Sequence, residues 1–325
     1  MRAAVCKAFK TPFELAIEEV ADPKPGAGEI VIDVKAAGIN FPDSLIVQGK
    51  YQVKPALPFI PGMEAAGVIS AVGEGVQHLR VGMRVLAHPH VGAFAEKVVA
   101  PAHEIFQIPD SMSFNEAAGF VHAYGTSHHA LKDRAQLKAG ETLLVLGAAG
   151  GVGLAAVEIG KVMGAKVIAA ASSAAKLALC QQHGADALID YSRDDLRARI
   201  KEITGGEGVD VVYDPVGGAL AEQSIRSLKR YGRYLVVGFA SGEIPKLPLN
   251  LLLLKTAAAM GVFWGQFVES EPQRNIENVH ELFAWHAAGK LHPHVSATFP
   301  FAQTAAAIEH VAERKALGKV LITFD

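Results

Sequence analysis

Along the first third of the chain, apolar residues come in short runs: 29–36 (EIVIDVKA), 65–72 (AAGVISAV), 84–87 and 93–99. Pro23, Pro25, Gly26, Gly62, Gly73, Gly75 and Gly82 fall between them. Strand-length runs cut by Pro and Gly predict a mainly β region or a partly open barrel, because these residues interrupt pairing and set turns. The pattern changes near Ser113. Over 115–131 apolar residues recur at helical spacing, and Ser113 and Glu116 stand as a capping box ahead of them.

Beyond Gly140 strands and helices alternate. The run 142–146 (TLLVL) reads as a buried strand, and a Gly-rich turn leads into a helix at 154–163. Strands follow at 166–171, 187–189, 209–213 and 233–237, separated by helices at 174–183, 194–204 and 219–228. Such alternation is the signature of a parallel sheet covered on both faces, so the fold class is α/β with a doubly wound domain. After Gly261 come a helix at 276–288, an apolar segment at 295–301, a helix at 304–315 and a strand at 319–324. No new linker precedes them, so they are read as returning to the first domain.

The chain has 325 residues, more than one core usually serves, and half of them are apolar with 20% charged, which excludes disorder. Lys and Arg number 31 against 33 Asp and Glu, with no basic block, so capture of nucleic acid phosphates is not expected. Only Cys6 and Cys180 are present, which fits a reducing compartment, and the cytoplasm is the expected location. The apolar opening Ala3-Ala4-Val5 meets Lys7 too soon for a signal peptide. The longest greasy stretch, 247–264, is interrupted by Pro248, Asn250 and Lys255, so it reads as core or interface and no membrane partner is expected.

Candidate chemistry begins at Ala148-Ala149-Gly150-Gly151-Val152-Gly153, between a buried strand and a helix. Gly150 lets backbone approach a pyrophosphate, Gly153 lets helix and strand pack closely, and the helix start offers unpaired N–H groups and partial positive charge. Ala148 replaces the first glycine of the full dinucleotide fingerprint. About 20 residues on, an NAD site carries Asp or Glu for the ribose 2′-hydroxyl. Here the second strand ends Ala171-Ser172-Ser173 with Lys176 behind it. A carboxylate would repel a 2′-phosphate, whereas two hydroxyls and an ammonium attract it, so NADPH is the expected cofactor.

The sequence resembles the medium-chain dehydrogenase/reductase superfamily, in particular its zinc-free NADPH:quinone oxidoreductase branch, over nearly the whole chain. The resemblance is carried by 36–43 (AAGINFPD), Gly49-Lys50-Tyr51, 61–67 (PGMEAAG), Tyr124-Gly125-Thr126, the AAGGVG turn, Asp190-Tyr191-Ser192 and 261–265 (GVFWG). It implies a GroES-like catalytic domain over 1–117 and 262–325, and a Rossmann domain over 118–261. Zinc-dependent relatives have Cys where Asn40 stands and His where Met63 stands, and they carry a four-cysteine lobe, so no metal is expected. The pairs His88/His90, His128/His129 and His292/His294 each lack an obvious third ligand.

The resemblance also implies roles. Lys176 and Tyr191 match residues that hold the 2′-phosphate, Thr126 one near the nicotinamide ribose, and Gly238-Phe239 and Phe263-Trp264 strand ends flanking the nicotinamide. Ala149, Gly150, Gly151, Val152, Ser172 and Ser173 complete the expected cofactor set. Asn40 and Tyr51 match polar residues of the substrate cleft, where Tyr51 would hydrogen-bond the acceptor oxygen and Asn40 would fix substrate or nicotinamide. Leu45 and Val47 depart from the branch's usual residues, and Tyr51 packing beside Pro55 or Asn40 closing a buried turn are competing structural readings. The expected reaction is hydride transfer from NADPH to a quinone or other conjugated carbonyl. The alternatives are an enoyl or acryloyl-type reductase of the same fold, or a low-turnover NADPH-binding protein. A homodimer is expected, with 251–262 supplying an edge strand and its cover.

Overall fold

The computed structural model describes residues 1–11 and 13–324. In chain order, the first part comprises β1 (Arg2–Cys6), β2 (Leu15–Glu19), β3 (Glu29–Ile39), α1 (Phe41–Ile46), β4 (Ala65–Val72), β5 (Arg84–Ala87), β6 (Lys97–Pro101), β7 (Ile105–Gln107) and α2 (Phe114–Ala118). The middle comprises α3 (Val121–His128), β8 (Thr142–Leu146), α4 (Gly151–Val162), β9 (Lys166–Ala171), α5 (Ala174–Gln182), β10 (Ala187–Asp190), α6 (Leu196–Ile203) and β11 (Val209–Asp214). It continues through α7 (Ala219–Arg226), β12 (Leu228–Val236), α8 (Asn250–Lys255), β13 (Ala258–Gly261), α9 (Trp264–Ser270) and α10 (Pro272–Ala287). The chain closes with β14 (Val295–Pro300), α11 (Thr304–Ala312) and β15 (Lys319–Thr323). These form two compact units: Met1–His122 with the described residues from Pro293 onward, and Ala123–His292.

In the first unit the sheet order is β14-β15-β3-β4-β5-β7, with β6 also on β3, and β1 and β2 pair separately. The long β3 serves three partners because register shifts at Val31/Ile32 and Val34/Ala36 bend it. Its inward residues Ile30, Ile32 and Val34 pack with Ile69, Val85, Phe94 and Ile322 in one core. Pairing of Val320 with Ile39 brings Lys319 beside Asn40, and pairing of Ala37 with Ala65 brings Glu64 opposite Gly38. Gly38 has no room for a side chain: a Cβ there would lie 2.2 Å from Ala118 O and 2.6 Å from Glu64 Oε2.

The second unit is built on a fully parallel six-stranded sheet in the order β10-β9-β8-β11-β12-β13. Burial on both faces explains why β8 and β9 read as nearly continuous apolar runs in the sequence. Every β and α expected between 142 and 237 is present, though β12 starts earlier, at Leu228.

Two expectations change. The single helix over 115–131 divides at Gly119, which ends α2, and after α3 the chain passes through a π turn, His129–Arg134. The capping box itself forms, with Ser113 Oγ accepting from Glu116 N at 3.2 Å. The segment 262–292, assigned from sequence to the first domain, stays with the doubly wound unit, and so the return to the first unit falls about 30 residues later. The physical reason is side-chain pairing that periodicity does not reveal: Glu281 of α10 bonds His128 and Lys132, and Asn278 bonds Asp133.

Candidate functional site

The second unit gathers thirteen of the expected cofactor residues. Ala149, Gly150, Gly151 and Val152 follow β8; Ser172, Ser173 and Lys176 follow β9; Tyr191 follows β10; Gly238 and Phe239 follow β12; Phe263 and Trp264 follow β13. All lie past the carboxyl ends of parallel strands, where ligands of open α/β sheets bind, and Thr126 is the exception, on α3.

At the turn, Gly150 is the N-cap of α4 and no side chain caps the helix, so its first N–H groups point outward unsatisfied. Gly153 must be glycine, since a Cβ would sit 2.3 Å from Gly147 O. Ser127 Oγ donates to Val152 O at 2.8 Å and lies 2.9 Å from the Tyr213 hydroxyl, which anchors α3, and hence Thr126, to this turn. Ser173 caps α5 by accepting from Lys176 N, and Lys176 Nζ donates to Ser172 Oγ at 3.3 Å. Two hydroxyls and an ammonium thus stand together past β9, with no carboxylate among the three.

The loops after β11 and β12 are strung on Asp214. Its carboxylate accepts from Val216 N at 2.7 Å, Gly217 N at 2.8 Å and the Tyr234 hydroxyl. Its backbone oxygen accepts from Val237 N and Gly238 N, and Pro215 O accepts from Ala240 N, so Gly238 is held by Asp214 and Phe239 lies between two residues fixed by Asp214 and Pro215. Burial pushes the Asp214 carboxyl above its ordinary value. The pair at 263–264 splits: Phe263 is half exposed, while Trp264 is buried against Gly125, where a Cβ would meet its ring at 2.7 Å.

Asn40 and Tyr51 belong to the first unit. Asn40 is buried, its Oδ1 accepting from Lys319 Nζ at 2.6 Å and its Nδ2 donating to Glu64 Oε2 at 3.2 Å. Lys319 also donates to Glu64 Oε2 at 2.9 Å, and His122 N donates to Glu64 Oε1 at 2.9 Å. Asn40 N donates to Asp43 Oδ2 at 2.7 Å. Tyr51 is half-buried at the edge of the unit's core, and burial together with the nearby Asp43 charge raises its hydroxyl pKa. On the far side of Glu64 the rings of His88 and His122 stack 5.3 Å apart, and burial lowers both to about 3.

Sequence reasoning did not single out Lys319, Asp43, Ser127, Tyr213 or Asp214. Asp43 stood inside a quoted motif; Lys319 is 279 residues from its partner and carried no local signal.

Two family models match the chain: residues 26–110 match the alcohol dehydrogenase GroES-like domain, and residues 151–285 match the zinc-binding dehydrogenase family. A rat quinone oxidoreductase-like protein 2 is 40% identical over 99% of this chain and 92% of its own length. The structure of Escherichia coli quinone oxidoreductase complexed with NADPH superposes with a TM-score of 0.93 at 32% identity, covering all of both chains. The CurK enoyl reductase superposes at 0.90 with 29% identity, covering all of this chain and 99% of that one. The chain belongs to the quinone oxidoreductase branch of the medium-chain dehydrogenase/reductase superfamily, and is an oxidoreductase with GroES-like and Rossmann domains.

The donor set does not suit the zinc of the second family's description. Where zinc needs thiolate or imidazole, this chain has the Asn40 amide and the Met63 thioether, and the Lys319 ammonium lies against the amide oxygen. Among the described residues no three His, Cys, Asp or Glu side chains gather as a metal cluster. No helix among them is long and apolar enough to cross a membrane.

Proposed function

We propose that this protein is a zinc-independent oxidoreductase that takes a hydride from NADPH and delivers it to a quinone or another conjugated carbonyl. The observation that carries the reading is the Ser172–Lys176 contact of 3.3 Å past β9, where an NAD enzyme would present a carboxylate. The fit of the turn agrees: Gly150 leaves open backbone, with only Gly147 O near a Cβ there, at 3.4 Å. Ala149, Gly150, Gly151 and Val152 would hold the pyrophosphate; Ser172, Ser173, Lys176 and Tyr191 the 2′-phosphate; Thr126, Gly238, Phe239, Phe263 and Trp264 the nicotinamide end.

NADPH, when bound, supplies the hydride, so the protein's work is orientation and charge stabilisation. Tyr51 donates a hydrogen bond to the acceptor oxygen as negative charge develops there. Asn40 presents its remaining amide hydrogen in a fixed direction, because its oxygen and its other hydrogen are tied to Lys319 and Glu64. No zinc takes part. Two buried thiols, Cys6 and Cys180, accord with a cytoplasmic setting.

The protein acts as a homodimer through β13 and its surroundings. β13 is the edge of its sheet, and Leu249, Leu253 and Leu254 nearby are 74%, 79% and 76% exposed, an apolar patch that a second copy would cover. An enoyl reductase acting on an unsaturated acyl group is the second reading, favoured by the likeness to CurK. A low-turnover NADPH-binding protein is the third. Steady-state NADPH oxidation with quinones, enones and an acryloyl thioester separates them: quinone- or enone-dependent turnover supports the first, thioester-selective turnover the second, and none the third.

A further inference from the structure

The proposed reaction leaves one buried carboxylate of the doubly wound unit unused. Glu158 lies on the buried face of α4, the helix that begins at the glycine turn, and is 3% exposed. Its Oε2 accepts from the Tyr124 hydroxyl at 2.6 Å. Its Oε1 lies 2.7 Å from Nδ1 of His183, the residue that ends α5. The backbone N–H of His292 donates to both oxygens, at 3.1 and 3.2 Å. A buried carboxylate held from three sides is rigid, so the Tyr124 hydroxyl is bonded to a fixed point on α4.

Tyr124 opens a run of four consecutive α3 residues, Tyr124 to Ser127. Gly125 comes next, with the Trp264 ring so close to its backbone that a Cβ would lie 2.7 Å from it. Thr126 follows, and Ser127 Oγ donates to Val152 O at 2.8 Å. Successive helical residues are about 100° apart, so Tyr124 and Thr126 leave α3 about 200° apart, on nearly opposite sides. Turning α3 about its axis would therefore swing Thr126, and because the ring rests on backbone it would move Trp264 in step. The Ser127 contact pins α3 near its end but leaves a pivot. Glu158 supplies the second fixed point.

We infer, resting on the placement of Thr126 and Trp264 proposed above, that Glu158 is a positioning residue for hydride transfer. Through Tyr124 it sets the rotation of α3, and so aims Thr126 and the Trp264 ring at the nicotinamide end of the cofactor. The residues given to the phosphates are set instead by the starts of α4 and α5, where Gly150 and Ser173 are the N-caps. Glu158 thus governs alignment of the nicotinamide rather than retention of the dinucleotide.

The test compares wild type with Glu158→Leu, Glu158→Gln and Tyr124→Phe. NADPH binding is read first, without acceptor. In Glu158→Leu and Tyr124→Phe the fluorescence lifetime of the bound nicotinamide should fall toward that of free NADPH, with Kd within about threefold of wild type. Glu158→Gln keeps an oxygen for Tyr124 and offers an N–H to His183, so it should keep the wild-type lifetime. Kinetics with a quinone or enone follow. Glu158→Leu should lower kcat at least about tenfold with KM for NADPH within about threefold, because misalignment weakens the chemical step and leaves uniform binding intact. Tyr124→Phe should act in the same direction, and adding it to Glu158→Leu should cost nothing more, since both cut one contact. A folded Glu158→Leu with wild-type lifetime and kcat overturns the inference, as does a loss confined to KM. Glu158→Gln losing as much as Glu158→Leu also overturns it, since the bond to Tyr124 would not be the cause. If Glu158→Leu does not fold, Tyr124→Phe decides: wild-type lifetime and kcat overturn the inference, and loss of both with Kd retained supports it. A wild type without acceptor-dependent turnover defeats the reading under Proposed function. The lifetimes then decide alone: shortened in Glu158→Leu and restored in Glu158→Gln supports the inference, and unchanged overturns it.

Discussion

Lys319 Nζ lies 2.6 Å from Asn40 Oδ1, joining residues 279 positions apart through the pairing of the last strand with β3. The amide that zinc relatives replace with a thiolate is therefore oriented by a buried cation and, through Nδ2, by Glu64. Lys319→Met should leave Glu64 buried without its cation, at a cost of about 3–5 kcal/mol. Denaturant unfolding would measure it; a change below about 1 kcal/mol would mean that the pair is not a stabilising element.

Cofactor choice follows from the residues past β9. Ser172→Asp or Lys176→Ala should weaken NADPH by about 1–3 kcal/mol of lost charge-assisted bonding, while NADH is affected far less. The ratio of KM values for the two cofactors checks this. Equal effects would count against the assignment.

Much of the α/β unit was legible because the central parallel strands are short, mostly apolar runs: 142–146 and 166–171 match β8 and β9 residue for residue. Most of the expected cofactor residues, Thr126 and Asn40 apart, fall past strand ends for the same reason, since strand and helix boundaries locate the turns. What stayed hidden depends on register and side-chain reach. Lys319 meets Asn40 only because Val320 pairs with Ile39, and Asp214 holds Gly217 and Gly238 through bonds that no spacing rule contains. The stretch 262–292 was misplaced because α10 is tied to its unit by Glu281 and Asn278, two polar residues that periodicity treats as solvent-facing.

Stability should depend on pH through Asp43. Its folded value of about 7 lies above the value of about 4 that an unfolded Asp has, so the folded chain binds the proton more tightly. The stability contributed by the protonated form is complete below about pH 4 and is lost as pH rises through about 7, at no more than about 1.4 kcal/mol per pH unit. Urea unfolding between about pH 5 and 8 should show the wild type losing stability relative to Asp43→Asn. A constant difference across that range would contradict it.

Packing at the turn allows little change. A Cβ at Gly153 would also meet Ala148 Cα at 2.9 Å, besides Gly147 O, both of them backbone. Gly153→Val should therefore cost about 2–4 kcal/mol and abolish saturable NADPH binding. Thermal unfolding and fluorescence titration measure the two effects.

The exposed leucines of α8 test the dimer. Leu253→Asp with Leu254→Asp would put charge into the patch beside the β13 edge, and light scattering should change from twice the chain mass to the chain mass. A wild type that is already monomeric would remove the claim.

The most direct measurement is acceptor-dependent NADPH oxidation by protein dialysed against a strong chelator, followed at the nicotinamide absorbance with a quinone or enone present. The account predicts full turnover, indifferent to added zinc and favouring NADPH over NADH. Turnover that disappears with chelation and returns with zinc, or that prefers NADH, would contradict it.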